Sequence, residues 1–319
     1  MVNTMENKYA ILFPGQGAQY VGMGKDFYEN CDVARKIYDK ADEILGFKLT
    51  ELCFNGPAEE LELTKNAQPA IFVTSYAILK SIADKYPDLA PSAVCGLSLG
   101  EFSALSVAGS IEFDTAVSLV RKRGLWMHES GTQNPGSMCS IIGLNVSGCE
   151  EVALQSGVQL ANYNSPEQIV LSGSVDGIAK SIELANEKGA KKAIQLKVSG
   201  AFHSSLMSNA EEKMREELKS VKISSPSVRF VPNVTAEYAD DPEEIRTYLA
   251  EQVTNSVRWF QTIEMLVEDG YRKCVEVGPG KVLKGLARRI NSDLDVTNVD
   301  KVSDLDKVHN IISAEIPNA

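Results

Sequence analysis

Short apolar runs alternate along this chain with stretches whose apolar residues recur at helical spacing. Tyr9 to Phe13 is uninterrupted apolar sequence and ends in Pro14-Gly15-Gln16-Gly17-Ala18-Gln19, which predicts a buried strand entering a tight loop. Asp32 to Leu45 and Ala67 to Ala83 carry helical periodicity. A second short run, Ala93 to Cys95, meets Gly96-Leu97-Ser98-Leu99-Gly100, after which Phe102, Ala104, Leu105 and Ala108 resume a helical period. That order is strand, sharp turn, helix. Asp114 is placed to cap a helix reaching about His128, with Ala116, Leu119, Val120, Arg123 and Met127 on its inward face and Arg121 and Lys122 turned to solvent. Further on, Ser208 to Leu218 and Pro242 to Gln252 read as helices, Val228 to Asn233 and Cys274 to Val277 as strands. After Gly278-Pro279-Gly280 comes a basic helix, Lys281 to Ile290, and then a polar tail with one short helix. Helices alternating with short apolar strands predict a mainly parallel sheet.

The pattern changes in the middle of the chain. Ser137 to Leu144, Val158 to Ala161, Gln168 to Ser172 and Lys192 to Val198 read as strands, and Cys149 to Ser156 and Val175 to Lys188 as helices. Asn162-Tyr163-Asn164-Ser165-Pro166 reads as the loop between the two central strands. The order βαββαβ is that of a ferredoxin-like unit. Because the α/β pattern resumes afterwards, the expected organisation is a large subdomain of residues 1–133 and 200–319 interrupted by a small one of residues 134–199.

Length and composition narrow the function. A chain of 319 residues with 44% hydrophobic and 24% charged residues can build a sizeable core. No apolar run approaches a membrane span, and Met1 to Lys8 is polar and lacks the apolar centre of a secretion signal, so a cytoplasmic protein without membrane contact is expected. The net charge of −11 argues against broad nucleic-acid binding. Six scattered cysteines without a Cys-x-x-Cys pair or a nearby histidine read as reduced thiols, and no metal site is expected. Neither nucleotide fingerprint is present: Gly15-x-Gly17 is followed by Tyr20 where glycine is needed, and Gly24-Lys25 is preceded by Gln19 where glycine is needed.

Three residues carry candidate chemistry. Ser98, flanked by Gly96 and Gly100, has the form of a nucleophile elbow whose following helix offers free N–H groups to an oxyanion; an ordinary glycine-rich turn is the alternative. Arg123 falls on the apolar stripe of its helix, where a guanidinium needs an anion, either a protein carboxylate or one on a substrate. His203, in Ser199-Gly200-Ala201-Phe202-His203-Ser204, is the leading base among three histidines, because His128 lies at a charged helix end and His309 in the polar tail.

Taken in order, Phe13-Pro14-Gly15-Gln16-Gly17, Gly96-x-Ser98-x-Gly100-Glu101, Arg123-Gly124, Asn162-x-Asn164-Ser165-Pro166, Gly200-Ala201-Phe202-His203-Ser204 and Glu276-Val277-Gly278-Pro279-Gly280-Lys281 resemble the malonyl-CoA:acyl carrier protein transacylases over about residues 8 to 290. The resemblance implies an α/β fold, with an α/β-hydrolase-like large subdomain built on a parallel sheet and an inserted ferredoxin-like (βαββαβ) small subdomain. It implies ping-pong transfer of malonyl from malonyl-CoA to the pantetheine thiol of acyl carrier protein, with Ser98 as nucleophile and His203 as base and acid. It places the oxyanion hole at the main-chain N–H groups of Gln16 and Leu99, the orienting carbonyl for the histidine at Gln252, and substrate contacts at Arg123, Phe202 and Asn162. Phe202 looks like the variant that crowds an α-methyl branch. No cofactor is implied, coenzyme A being part of a substrate, and the protein is expected to act as a monomer. The acidic carrier would dock on a local basic patch, either Lys281, Lys284, Arg288 and Arg289 or Lys191, Lys192 and Lys197. Leu97 departs from the family, which usually has histidine before the nucleophile. A serine hydrolase or thioesterase is the competing reading; in that order of motifs the base would come late, which leaves His309. A carrier-docking module without catalysis is a third.

Overall fold

A computed structural model describes residues 8–312; the polar stretch before Lys8 and the end of the tail lie outside the described residues. Among the described residues nine strands form two sheets. They are β1 (Tyr9–Phe13), β2 (Ala93–Gly96), β3 (Ser137–Ile142), β4 (Gln159–Ser165), β5 (Gln168–Gly173), β6 (Lys192–Gln195), β7 (Arg229–Val231), β8 (Lys273–Val277) and β9 (Asp295–Val299). The first sheet has the order β7-β2-β1-β8-β9 and every pairing in it is parallel.

β1 is buried along its whole length because both faces of the sheet are covered. Tyr9, Ile11 and Phe13 enter one apolar core with the helices Thr64–Lys85 and Phe113–Gln133, while Ala10 and Leu12 enter the other with Trp259–Glu268 and Val282–Ile290. Side chains alternate with period two, yet each side meets apolar cover, so the strand reads as unbroken apolar sequence. The loops after β1, β2 and β8 all leave the same, carboxyl end of the parallel sheet, near the point where the strand order reverses around β1. Ligands bind at such an edge in open α/β sheets.

The second sheet, β4-β5-β3-β6, is antiparallel throughout and carries the helices Val146–Ser156 and Val175–Glu187 with its own apolar core. This is the ferredoxin-like arrangement, and the α/β fold class with its two sheets stands as expected. A parallel bridge from Asn162 to Val257 ties β4 to the large subdomain, with Tyr163 N–H donating to the Val257 carbonyl (2.9 Å) and Val257 N–H to that of Ala161 (2.8 Å).

Several local expectations need correcting. Asn162 to Ser165 is strand rather than loop, because register irregularities between Leu160 and Asn162 and between Tyr163 and Ser165 let β4 carry polar residues. The long helix starts at Phe113, preceded by Glu112, so Asp114 sits in its first turn and pairs with Lys40 rather than capping it. Arg121 is not a solvated charge; it packs over the Phe47 ring and donates to the Lys65 carbonyl and to Asn66. β9, too short and polar to announce itself, pairs with β8 inside the tail.

Candidate active site

The turn after β2 is shaped by two glycines. A Cβ on Gly96 would lie 2.0 Å from the Gly100 carbonyl carbon, and one on Gly100 would lie 2.1 Å from the Phe13 carbonyl oxygen. The helix Gly100–Val107 can therefore start directly over the strand ends only with both residues bare. Between them Ser98 adopts φ 51°, a left-handed conformation costing a non-glycine residue on the order of 1–3 kcal/mol. Its backbone is held on both sides: its N–H donates to Asn233 Oδ1 (2.6 Å) and its carbonyl accepts from Gln252 Nε2 (3.0 Å).

Where the chain returns from the small subdomain, His203 also takes a positive φ, 56°. Its Nε2 lies 2.9 Å from Ser98 Oγ, and its Nδ1 lies 2.7 Å from the main-chain oxygen of Gln252. A carbonyl can only accept, so Nδ1 carries the hydrogen and Nε2 is left to accept from the serine. Burial, reinforced by the nearby Arg123 charge, lowers the His203 pKa from 6.5 to about 4, which keeps the ring neutral.

Arg123 reaches the same point from the helix Phe113–Gln133 and is 1% exposed. Its Nη1 donates to Gln68 Oε1 (2.7 Å), and its Nη2 to Gln252 Oε1 (2.7 Å) and Ser98 Oγ (3.2 Å). These partners are all neutral. Its Nε is buried and has no hydrogen-bond partner among the described residues. Burial lowers the guanidinium pKa to about 10, so the group remains a cation at neutral pH. Of the two anions weighed for it from sequence, the structural ion pair is not formed among the described residues, since no carboxylate lies within bridging distance.

Ser98, His203 and Arg123 open onto a cavity of about 480 Å³, which is also lined by Gln16, Leu99, Phe202 and Asn162. Gln252 stands behind it, fully buried. All eight residues singled out from sequence thus converge. Leu97 lines the cavity too and packs against the apolar core that Ala10 and Leu12 enter, so the elbow puts an apolar side chain there. Neither His128 nor His309 lines it; His309 stacks on Tyr86, 6.0 Å between ring centres.

Sequence reasoning missed Asn233, Gln68 and the side chain of Gln252. Asn233 follows β7 at the carboxyl edge of the sheet, and Gln68 interrupts the otherwise apolar run Ala67 to Val73, and each position was a legible signal. Nothing in the composition marked the Gln252 side chain. Among the described residues no cluster of three or more His, Cys, Asp or Glu could hold a metal ion.

This arrangement joins a strained serine, a neutral imidazole aligned by a main-chain carbonyl and a buried cation with hydrogen-bonding capacity to spare. Residues 11–310 match the family model described as acyl transferase domain. The chain belongs to the acyl transferase family. It is 42% identical over 318 residues, 98% of this chain and all of its relative, to the malonyl CoA-acyl carrier protein transacylase of Bacillus subtilis strain 168. Its fold superposes with TM-score 0.92 and 38% identity on an acyl-carrier-protein S-malonyltransferase from Burkholderia pseudomallei 1710b, covering 94% of this chain and 99% of that one. A malonyl-transacylase solved with its type II PKS acyl-carrier protein matches with TM-score 0.91 and 36% identity over 97% of this chain and all of that one.

Proposed function

We propose that this chain transfers a malonyl group from coenzyme A to the pantetheine thiol of an acyl carrier protein through a malonyl ester on Ser98. The observation that carries this reading is Arg123: a buried cation 3.2 Å from the Ser98 hydroxyl, with neutral partners and an unpartnered Nε–H, is built to receive an anion brought to the nucleophile. The free carboxylate of a malonyl thioester is such an anion, and two parallel hydrogen bonds from the guanidinium would hold it.

In this mechanism the Ser98 hydroxyl gives its proton to His203 Nε2 as Oγ attacks the thioester carbon. The oxyanion forms against the N–H groups of Gln16 and Leu99, the latter at the free end of the elbow helix. When the tetrahedral adduct collapses, the C–S bond breaks and the thiolate takes the proton from His203, leaving as coenzyme A. The carrier thiol then gives its proton to the same nitrogen, attacks the ester, and Ser98 recovers its hydrogen on departure. The Gln252 carbonyl holds the ring through Nδ1 in both halves. No aspartate is required, and no step uses a group beyond the chain, the acyl thioester and the carrier thiol. The substrate carboxylate offsets the Arg123 charge that depresses His203, so its arrival raises the basicity of the ring as the reaction begins.

Phe202, 6% exposed at the cavity wall, crowds the α-carbon and disfavours a methyl branch by about 1–3 kcal/mol. Asn162, 8% exposed on β4, contributes a polar contact from the small subdomain. The division at residues 133 and 199 then has a function, since the two parts meet across the acyl site. The carrier protein docks on the exposed face of the helix Val282–Ile290, where Lys281, Lys284, Arg288 and Arg289 surround Val282 and Leu286 at the cavity wall. The competing patch is weaker, Lys191 being paired with Glu167 at 3.1 Å. That it works as a cytoplasmic monomer is a reading from the sequence alone; among the described residues no helix is long and apolar enough to cross a membrane.

Incubation with malonyl-CoA followed by intact-mass measurement tests the reading. Wild type should gain one malonyl group, and Ser98→Ala none. Arg123→Ala should load malonyl on the order of 100-fold more slowly while acetyl loading holds or rises. Malonyl loading untouched by Arg123→Ala would sink the clamp. A thioesterase would show turnover to free malonate with no requirement for carrier thiol.

A further inference from the structure

Behind the site lies a buried carboxyl that the mechanism above does not use. Glu101, the residue after the elbow's second glycine, is 0% exposed. Its Oε2 accepts from the main-chain N–H of Asn233 (3.0 Å) and from Gln252 Nε2 (2.6 Å), while its Oε1 has no partner among the described residues. The two residues it holds are the two that clamp Ser98. Asn233 bonds the Ser98 N–H through Oδ1 and the Gly96 carbonyl through Nδ2 (2.6 Å). Gln252 bonds the Ser98 carbonyl through Nε2 and Arg123 through Oε1.

The orientation of the Gln252 carboxamide is what this contact decides. Turned over, it would present its NH₂ to the Arg123 guanidinium, donor against donor, and would set its oxygen against two acceptors, Glu101 Oε2 and the Ser98 carbonyl. We infer that Glu101 is a positioning residue for acyl selection: by taking the Nε2 end of Gln252 it turns the Oε1 end toward Arg123 and so aims the guanidinium at the substrate carboxylate. The inference rests on the malonyl reading above. Interposing the amide also keeps the carboxyl out of direct contact with the guanidinium, which would otherwise be spent in an internal ion pair. Burial raises the Glu101 pKa from 4.5 to about 7, and in either protonation state Oε2 can accept both bonds.

The test is the ratio of malonyl to acetyl loading on Ser98, measured from malonyl-CoA and acetyl-CoA by quenched-flow intact mass. Glu101→Ala should lower that ratio by about tenfold or more, since aim at the carboxylate is lost while both substrates share the damage to the serine. Glu101→Gln, which keeps an accepting oxygen, should hold the ratio within about threefold of wild type. Gln252→Met, which removes the relay but leaves the main-chain carbonyl for His203, should lower it as Glu101→Ala does and decides the matter if that variant does not fold. A ratio unchanged in folded Glu101→Ala or Gln252→Met would overturn the inference, as would a Glu101→Gln enzyme as unselective as Glu101→Ala. A wild type that forms no malonyl adduct overturns the function and this inference together; a wild type that loads malonyl while the variants keep its ratio overturns this inference alone.

Discussion

A histidine held near pKa 4 is an unusual base for chemistry at neutral pH, and the reason lies in what surrounds it. Burial and the Arg123 charge both penalise imidazolium, while the Gln252 carbonyl partly offsets them. In the free enzyme nearly every His203 is then ready to accept a proton, so kcat/KM for malonyl loading should stay level down to about pH 5 and fall through about pH 4, which a stopped-flow pH series would check. An acid limb near pH 6.5 would show that the ring is not so enclosed. The same shift has a sign for stability. Between about pH 6.5 and 4 the unfolded chain binds a proton that folded His203 refuses, so this residue costs stability as the pH falls through that window. Glu101 acts in the opposite sense: with its folded pKa raised from 4.5 to about 7, its contribution is complete below 4.5 and is lost as the pH rises through 7. Ser98, His203 and Arg123 were all legible from residue type and local pattern. Gln68 and Asn233 were legible only as polar residues in apolar surroundings, because an amide's role depends on which atoms meet its two ends.

At the scale of elements, the strand-turn-helix of residues 93–107 is set by contacts between backbone atoms. The Gly100 Cα lies so close to the end of β1 that Gly100→Ala forces the elbow helix off the sheet. Thermal or urea unfolding should show a loss of about 1–3 kcal/mol, with slower malonyl loading because the Leu99 N–H moves with the helix start. A variant as stable as wild type would mean that the loop yields without cost. β1 and the helix Asp32–Leu45 match the sequence expectation in extent, since unbroken apolar runs and strong amphipathic periods leave little choice. β4 and β9 were obscured for a common reason: their polar residues are tolerated through their pairing, β4 in an irregular register with β5 and β9 against β8 at the sheet interior, and a local period along the chain does not record pairing.

For the whole molecule, the proposed carrier is expected to be acidic like the enzyme, so the net charge of −11 has to be overcome locally. Reversing the charges of Lys284 and Arg288, exposed on the helix Val282–Ile290, should leave loading from malonyl-CoA within about twofold and slow transfer to acyl carrier protein by about tenfold or more, with a weaker salt dependence. Equal effects on both half-reactions would place carrier docking elsewhere.

The sequence by itself determined the alternation of elements, the inserted βαββαβ unit, the elbow and the three candidate side chains, because hydrophobic period, glycine sterics and side-chain chemistry are local properties. Only the tertiary structure decided that Arg123 meets neutral amides instead of a carboxylate, that Asn162 lies on a strand facing the cavity, and that Glu101 braces both amides behind the serine. These depend on distances between segments separated by up to about 150 positions, as Glu101 and Gln252 are at |i−j| = 151. Closure of the parallel sheet brings such segments to one edge, and no local property of the chain records which atoms will meet there.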